Sequence, residues 1–161
     1  MMNMVTRLFA RSEPVLSEAG PRDAAAIAAL HGASFQRGWS EDELERLLAD
    51  RNVVAHRATS GSSLSGFILS RGAAGEAEIL SIAVASSRRG KGLARALLNL
   101  HMRRLAGLGT RALFLEVDED NAPARSLYRR VGFQEVGRRP GYYQQGRNKA
   151  VAALVLRRDL T

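Results

Sequence analysis

The residues best suited to chemistry lie between 79 and 131. An apolar, β-branched run from Ile79 to Val84 stops at a Ser86-Ser87-Arg88-Arg89 turn. Gly90 and Gly92, with Lys91 between them, then open a helix whose apolar positions are Leu93, Ala96, Leu97 and Leu100. Strand, glycine-rich turn and helix start is a construction for holding a phosphate. N–H groups at a helix N-terminus lack intrahelical partners, and glycines let a ligand approach the backbone. The glycine spacing matches neither common nucleotide fingerprint. It does fit R-x-x-G-x-A, with Arg89, Gly92 and Ala94 at the fixed places.

A second candidate is Glu116, in the run Leu113-Phe114-Leu115-Glu116-Val117. Side chains of a strand alternate faces, so Leu113, Leu115 and Val117 share one side while Phe114 and Glu116 share the other. If both faces are covered, Glu116 is an acid among apolar groups. Burial raises a carboxylate's pKa and makes it a usable base near neutral pH. If the strand ends there, the carboxylate is simply solvated, in keeping with the acidic run Asp118-Glu119-Asp120 that follows. Residue type alone leaves both readings open. The next helix starts at Asn121, a favoured N-cap, with Pro123 in its first turn. It carries Leu127, Tyr128 and Val131 on one face, where the tyrosine reads first as a core aromatic.

These groups need a scaffold. Val15 to Ala19 reads as a strand, and Pro21 starts a helix that reaches Phe35 with Ala24, Ile27, Ala28 and Leu30 along one stripe. Ser40 and Glu43 form a capping box for a helix to Asp50 that buries Leu44, Leu47 and Leu48. Val53 to Ala58 and Ser65 to Ser70 read as strands joined by the turn-rich residues 59–63. A strand from Glu76 to Val84 leads to the long helix from Gly92 to Ala106. A strand from Ala112 to Val117 leads to a short helix from Asn121 to Val131, which Gly132 stops. Glu135 to Arg139 and Ala150 to Arg157 close the sheet. Residues 1–12 read as a tail and 13–161 as one domain, a mixed α/β sandwich.

Composition narrows the function classes. The 161 residues are 45% hydrophobic, and no apolar run approaches a membrane span. No secretory signal is expected from Met1 to Arg11. Absence of cysteine excludes disulfides and thiolate catalysis, and it fits a cytoplasmic setting. His31, His56 and His101 are too scattered to suggest a metal site. Net charge is +8, and the excess is lopsided: residues 1–75 balance eight basic against eight acidic groups, whereas residues 76–161 carry sixteen against eight. Such a surface attracts polyphosphates or nucleic acid. Because 22 of the 24 basic residues are Arg, genome composition explains the bias equally well.

Two motifs in order carry a resemblance. Arg89-x-x-Gly92-x-Ala94 is similar to the acetyl-coenzyme A pyrophosphate loop of the GNAT N-acetyltransferase superfamily. Asn121, Ala124, Leu127, Tyr128, Gly132 and Phe133 resemble the second half of that family's acetyl-CoA site, and Asn121 lies 32 residues after Arg89. Within the superfamily the chain is similar to the RimI-like branch, which acetylates the N-terminal alanine of a ribosomal protein. The branch keeps an acid twelve residues before its tyrosine, the interval from Glu116 to Tyr128. It also has Trp-Ser after the first helix, as in Trp39-Ser40, and a late Arg-x-x-Tyr-Tyr segment, as in Arg139 to Tyr143. Gly38 and the pair Asn148-Lys149 depart from the branch pattern.

The resemblance implies a GNAT-like fold of the α+β type, a mixed and mostly antiparallel sheet of about seven strands flanked by helices. With the residues, it implies an acetyl-CoA-dependent N-acetyltransferase acting on the α-amine of a peptide or protein, a ribosomal protein among them. Gly90, Lys91, Gly92, Leu93, Ala94 and Arg95 would hold the pyrophosphate through backbone N–H groups, with Arg89 adding charge and Asn121 contributing to the site. Backbone groups of Ile82, Ala83 and Val84 would align the pantetheine. Glu116 would act as base and Tyr128 as acid. A GNAT acting on a lysine, polyamine or small-molecule amine is the alternative. A basic nucleic-acid- or ribosome-binding module on the same fold is the alternative of a different class. No membrane and no metal are expected, and nucleic acid is not required.

Overall fold

The computed structural model describes residues 13–141 and 150–160. Among them, seven strands form one sheet: β1 (Val15–Glu18), β2 (Val53–Ser60), β3 (Ser63–Ala73), β4 (Glu76–Val84), β5 (Ala112–Asp118), β6 (Gln134–Arg139) and β7 (Ala153–Asp159). Their order is β1-β2-β3-β4-β5-β7-β6. Every neighbouring pair is antiparallel except β4 and β5. The helices are α1 (Ala24–Ser34), α2 (Glu41–Ala49), α3 (Leu93–Gly107) and α4 (Ala122–Arg130). This is the mixed, mostly antiparallel architecture expected. No helix among the described residues is long and apolar enough to cross a membrane.

Most elements form where the residue pattern places them, and the exceptions have local causes. Pro21–Asp23 is a 3-10 turn, so α1 begins only at Ala24. The Ser40–Glu43 capping box forms as expected: Ser40 Oγ accepts from the Glu43 N–H and Glu43 Oε2 from the Ser40 N–H. The turn predicted over 59–63 shrinks to Gly61 and Ser62, because Ser60 pairs with Ser63 and Gly61 takes a φ of 61°. Gly at the first position of a two-residue turn with φ positive there alone suits the hairpin twist. β7 begins at Ala153 rather than Ala150. Tyr142, Tyr143, Asn148 and Lys149 lie outside the described residues.

Two apolar layers cover the sheet. On one face, Leu97, Leu98, Met102 and Leu105 of α3 and Tyr128 of α4 pack with Ile68, Ile79, Leu113, Leu115, Val117, Leu154 and Leu156. On the other, Ala24 and Ile27 of α1 and Leu44 and Leu48 of α2 pack on Ala55, Phe67, Leu69 and Ala83. Contacts of α1 and α2 fall on β2, β3 and β4. The same face of β5 lies beyond them, with Phe114 half-buried beneath the Arg157 guanidinium, 5.3 Å from the ring centroid. β5 is thus central in strand order yet covered by helices on one face.

A bulge in β4 prepares the site. Ser70 pairs with Ile79 and Leu69 with Ser81, leaving Leu80 as the extra residue. The bulge reverses the alternation of side chains. Ala77 and Ile79 belong to the α3 layer, Leu80 packs with the α1 layer, and Ile82 again meets the α3 layer.

Candidate active site

The parallel pairing of β4 with β5 lasts for three residue pairs, Glu76–Ala112, Ala77–Leu113 and Glu78–Phe114. Beyond them the strands separate. A cleft of about 590 Å³ opens between them, lined by Ser81 and Ile82 of β4, by Leu115 to Asp118 of β5, by Asn121 at the N-cap of α4 and by Tyr128 of α4. Of the residues expected at the site, Ile82, Glu116, Asn121 and Tyr128 therefore meet in one cleft. Ala83 and Val84, the buried end of β4, continue the strand from Ile82.

Glu116 differs from one expectation. It is exposed, because α1 and α2 stop short of β5, and its Oε1 lies 3.0 Å from Arg139 Nε. The carboxylate at the cleft is open to water and faces a guanidinium; the apolar enclosure considered from its strand position is absent. Tyr128 is buried and meets the Phe133 ring edge-on at 5.7 Å. Burial pushes its hydroxyl up to about 12, so it is a protonated phenol at neutral pH. Asn121 caps α4, its Oδ1 accepting from the Ala124 N–H at 3.2 Å. Glu119, in the acidic run, braces the neighbouring strands: its carboxylate accepts from Arg138 at 2.9 Å, and its N–H donates to the Ala152 carbonyl.

An aromatic wall that the sequence pattern did not disclose closes the α1 side of the cleft. His31 stacks on Trp39 with centroids 4.5 Å apart and planes 12° from parallel. Phe35 lies 4.6 Å from the same imidazole. The Trp39 N–H donates to His31 Nδ1 at 3.2 Å, which requires that nitrogen unprotonated. Burial lowers the His31 pKa and favours this neutral state. The one sequence signal was spacing: His31 and Phe35 are four apart, hence on one helical face.

The loop before α3 has the curvature a bound anion needs. Gly90 and Gly92 take φ values of 75° and 81°, and a Cβ on either would meet nothing within 4 Å. Glycine is therefore required by the backbone, while the space outside stays open. α3 starts at Leu93 with no side-chain cap from Gly92, and its first internal bond runs from the Ala96 N–H to the Gly92 carbonyl. Leading N–H groups of Leu93, Ala94 and Arg95 are those a helix start leaves for an anion. Lys91, Gly92 and Leu93 line a hollow of about 410 Å³. Arg89 also has a structural tie: its Nε donates to the Val84 carbonyl at 3.1 Å, joining the loop to the end of β4. Opened strands, an anion-ready helix start and a cleft lined by both a buried phenol and an exposed carboxylate suit acyl transfer from a phosphate-bearing thioester to an amine.

Known proteins resemble this chain in sequence and fold. Residues 24–133 match the acetyltransferase (GNAT) family. A Mycobacterium leprae protein is 35% identical over 84% of this chain, although the match spans 39% of that protein's length. The N-alpha-acetyltransferase RimI of Mycobacterium tuberculosis is 35% identical over 94% of this chain and 97% of its own. The crystal structure of the ribosomal-protein-S18-alanine N-acetyltransferase from Escherichia coli superposes with a TM-score of 0.84 at 25% identity, covering 92% of this chain and 94% of that one. The glycine loop, the opened strands and the paired motifs thus stand in a chain that belongs to the GNAT acetyltransferase family.

Proposed function

We propose that this chain transfers the acetyl group of acetyl-CoA to the N-terminal α-amine of a protein, with an alanine-initiated ribosomal protein as the fitting acceptor. The observation that carries the reading is the cleft between β4 and β5, where Glu116 and Tyr128 line the same space as the Trp39–His31 wall. Acetyl-CoA supplies an activated thioester from which the acetyl group passes to an amine with release of the thiol. The loop at Gly90 to Arg95 would hold its pyrophosphate. The edge of β4 from Ile82 to Val84 would take the pantetheine amides as an added strand.

Within that frame each side chain has one task. Glu116, at the solvent-open mouth, takes a proton from the acceptor ammonium, directly or through one water, and leaves the amine nucleophilic. A free α-amine has a pKa near 7.7–8.0 and lysine about 10.4, so a carboxylate base meets a cost lower by about 3 kcal/mol with the α-amine. Tyr128 donates from its phenol to the departing sulfur. Its pKa of about 12 lies above that of an ordinary thiol. The phenol therefore acts chiefly as a hydrogen-bond donor that stabilises the developing thiolate, since full transfer of its proton to a thiolate is uphill.

The test compares two peptides that differ in the N-terminal block and in one lysine. One is Ala-initiated, Arg-rich and free at its N-terminus; the other is N-terminally blocked and carries a single lysine. Mass spectrometry of the acetylated position is expected to show faster transfer to the free α-amine. Equal or faster modification of the blocked lysine peptide overturns the α-amine reading and favours a lysine or polyamine acceptor.

A further inference from the structure

The pair Arg139–Glu116 spans three strands, and a bulge decides which arginine makes it. Glu116 of β5 lies opposite Val155 of β7, and Asp118 opposite Ala153. On the far side of β7, Val155 faces Gly137 and Ala153 faces Arg139. Directly opposed residues project to the same face, so Arg139 stands on the face of Glu116 and Asp118. It does so because β6 is bulged: Glu135 pairs with Leu156 and Gly137 with Val155, with Val136 left over between them. In a straight β6 the register would be one residue out, and Arg138 would occupy that face. The extra residue, Val136, is 55% exposed. Arg138 instead projects to the opposite face and holds Glu119. Ala153, the β7 residue opposite Arg139, carries only a methyl group, and the Arg139 guanidinium crosses β7 to reach Glu116.

An exposed ion pair of this kind adds little stability, so conformational stability is a poor account of the bulge. We propose that Arg139 is a positioning residue that binds Glu116 through one carboxylate oxygen and thereby aims the other at the acceptor amine. The inference rests on the reading of Glu116 as the base. Oε1 is held at 3.0 Å by Arg139 Nε, which leaves Oε2 as the oxygen that receives the proton from the ammonium. A glutamate on an open strand face has three side-chain torsions to settle, and a fixed partner narrows them before the acceptor arrives.

Steady-state kinetics of the wild type, Arg139→Ala, Arg139→Lys, Glu116→Gln and the double variant Glu116→Gln/Arg139→Ala test this, with acetyl-CoA and the free Ala-initiated peptide. Arg139→Ala is expected to lower kcat at least fivefold with the KM for acetyl-CoA within twofold, and Arg139→Lys to recover part of the loss. In the Glu116→Gln background the same Arg139→Ala change is expected to alter the residual turnover by less than twofold. Wild-type kcat in Arg139→Ala overturns the inference. So does an equal loss in both backgrounds, which would mean that Arg139 acts without Glu116. Full turnover in Glu116→Gln alone removes the base reading itself and this inference with it, a result distinct from the other two. Thermal melting of each variant confirms that the folded proteins are being compared.

Discussion

His56 and His101 meet Nδ1 to Nδ1 at 2.8 Å in the buried seam between β2 and α3, and the other ring nitrogen of His101 lies 2.6 Å from Ser70 Oγ. All three residues are buried. One Nδ1 carries the proton and the other accepts, so the accepting ring must be neutral and both rings cannot be charged at once. Burial, and then the neighbouring His56, push His101 down to about 3. Burial also lowers His56, with Glu18 opposing the shift and Arg104 adding to it. The unfolded chain takes up these protons near pH 6.5, whereas folded His101 resists until about pH 3. Acid therefore favours unfolding across that window, by up to roughly 5 kcal/mol from His101. Urea unfolding at pH 7, 6, 5 and 4 is expected to show the decline, and His56→Phe/His101→Leu to flatten it. An unchanged acid slope in the double variant would assign the decline to other groups.

Gly92 tests the anion loop, with a control for strain. A side chain at Gly92 meets open space but must adopt a φ of 81°; Gly109, at 92°, poses the same problem at the far end of α3. Gly92→Asp and Gly109→Asp should lose comparable stability, on the order of 1–2 kcal/mol. Acetyl-CoA affinity, measured by calorimetry, is expected to fall at least tenfold, or about 1.4 kcal/mol, in Gly92→Asp alone. Equal affinity in the two folded variants would place the pyrophosphate elsewhere.

Tyr128→Phe keeps the ring against Phe133 and removes the phenol. We expect turnover to drop about tenfold or more with acetyl-CoA binding near wild type and a melting temperature almost unchanged. Full turnover would make Tyr128 a packing residue.

The aromatic wall should govern the acceptor and leave the donor alone. His31→Ala removes the stacked ring and the acceptor of the Trp39 N–H. The KM for the peptide is expected to rise severalfold while the KM for acetyl-CoA holds, and a rise confined to acetyl-CoA would contradict the assignment of this side of the cleft.

A separate gain in stability is available at Ala74, whose φ is 55° in the two-residue turn between β3 and β4, followed by Gly75 at 81°. Positive φ at both turn positions is the geometry that Asn-Gly adopts most readily. Ala74→Asn is expected to stabilise the chain by about 0.5–1 kcal/mol in urea unfolding, with no change in turnover. A lower midpoint would show that the Asn side chain meets a neighbour.

The loop and its helix were legible because glycines and apolar spacing act locally: Gly90, Gly92 and the stripe from Leu93 describe themselves. The Ser40–Glu43 cap is likewise settled within four residues. Glu116 was harder, since its exposure depends on how far α1 and α2 reach across the sheet, a matter of tertiary packing. Face alternation placed Glu116 opposite Leu115 correctly, but nothing nearby in the chain says what covers that face. The His56–His101 contact joins residues 45 apart, and the bulge at Val136 is an offset between strands that no single strand records. The tie of Arg89 to the Val84 carbonyl depends on the turn's actual path, which residue type does not give.

The separation of β4 from β5 has a bearing on solubility. A strand edge with free N–H and C=O groups invites pairing with other chains, and proteins ordinarily guard such edges. Here the outer edges are defended in familiar ways. β1 is four residues long, and β6 carries a bulge and two arginines. The inner tear is instead flanked by α4 and by the His31–Trp39 wall, which line the same cleft. Bare backbone is thereby placed in the interior of the sheet, away from the outer edges at which strands of two chains ordinarily meet.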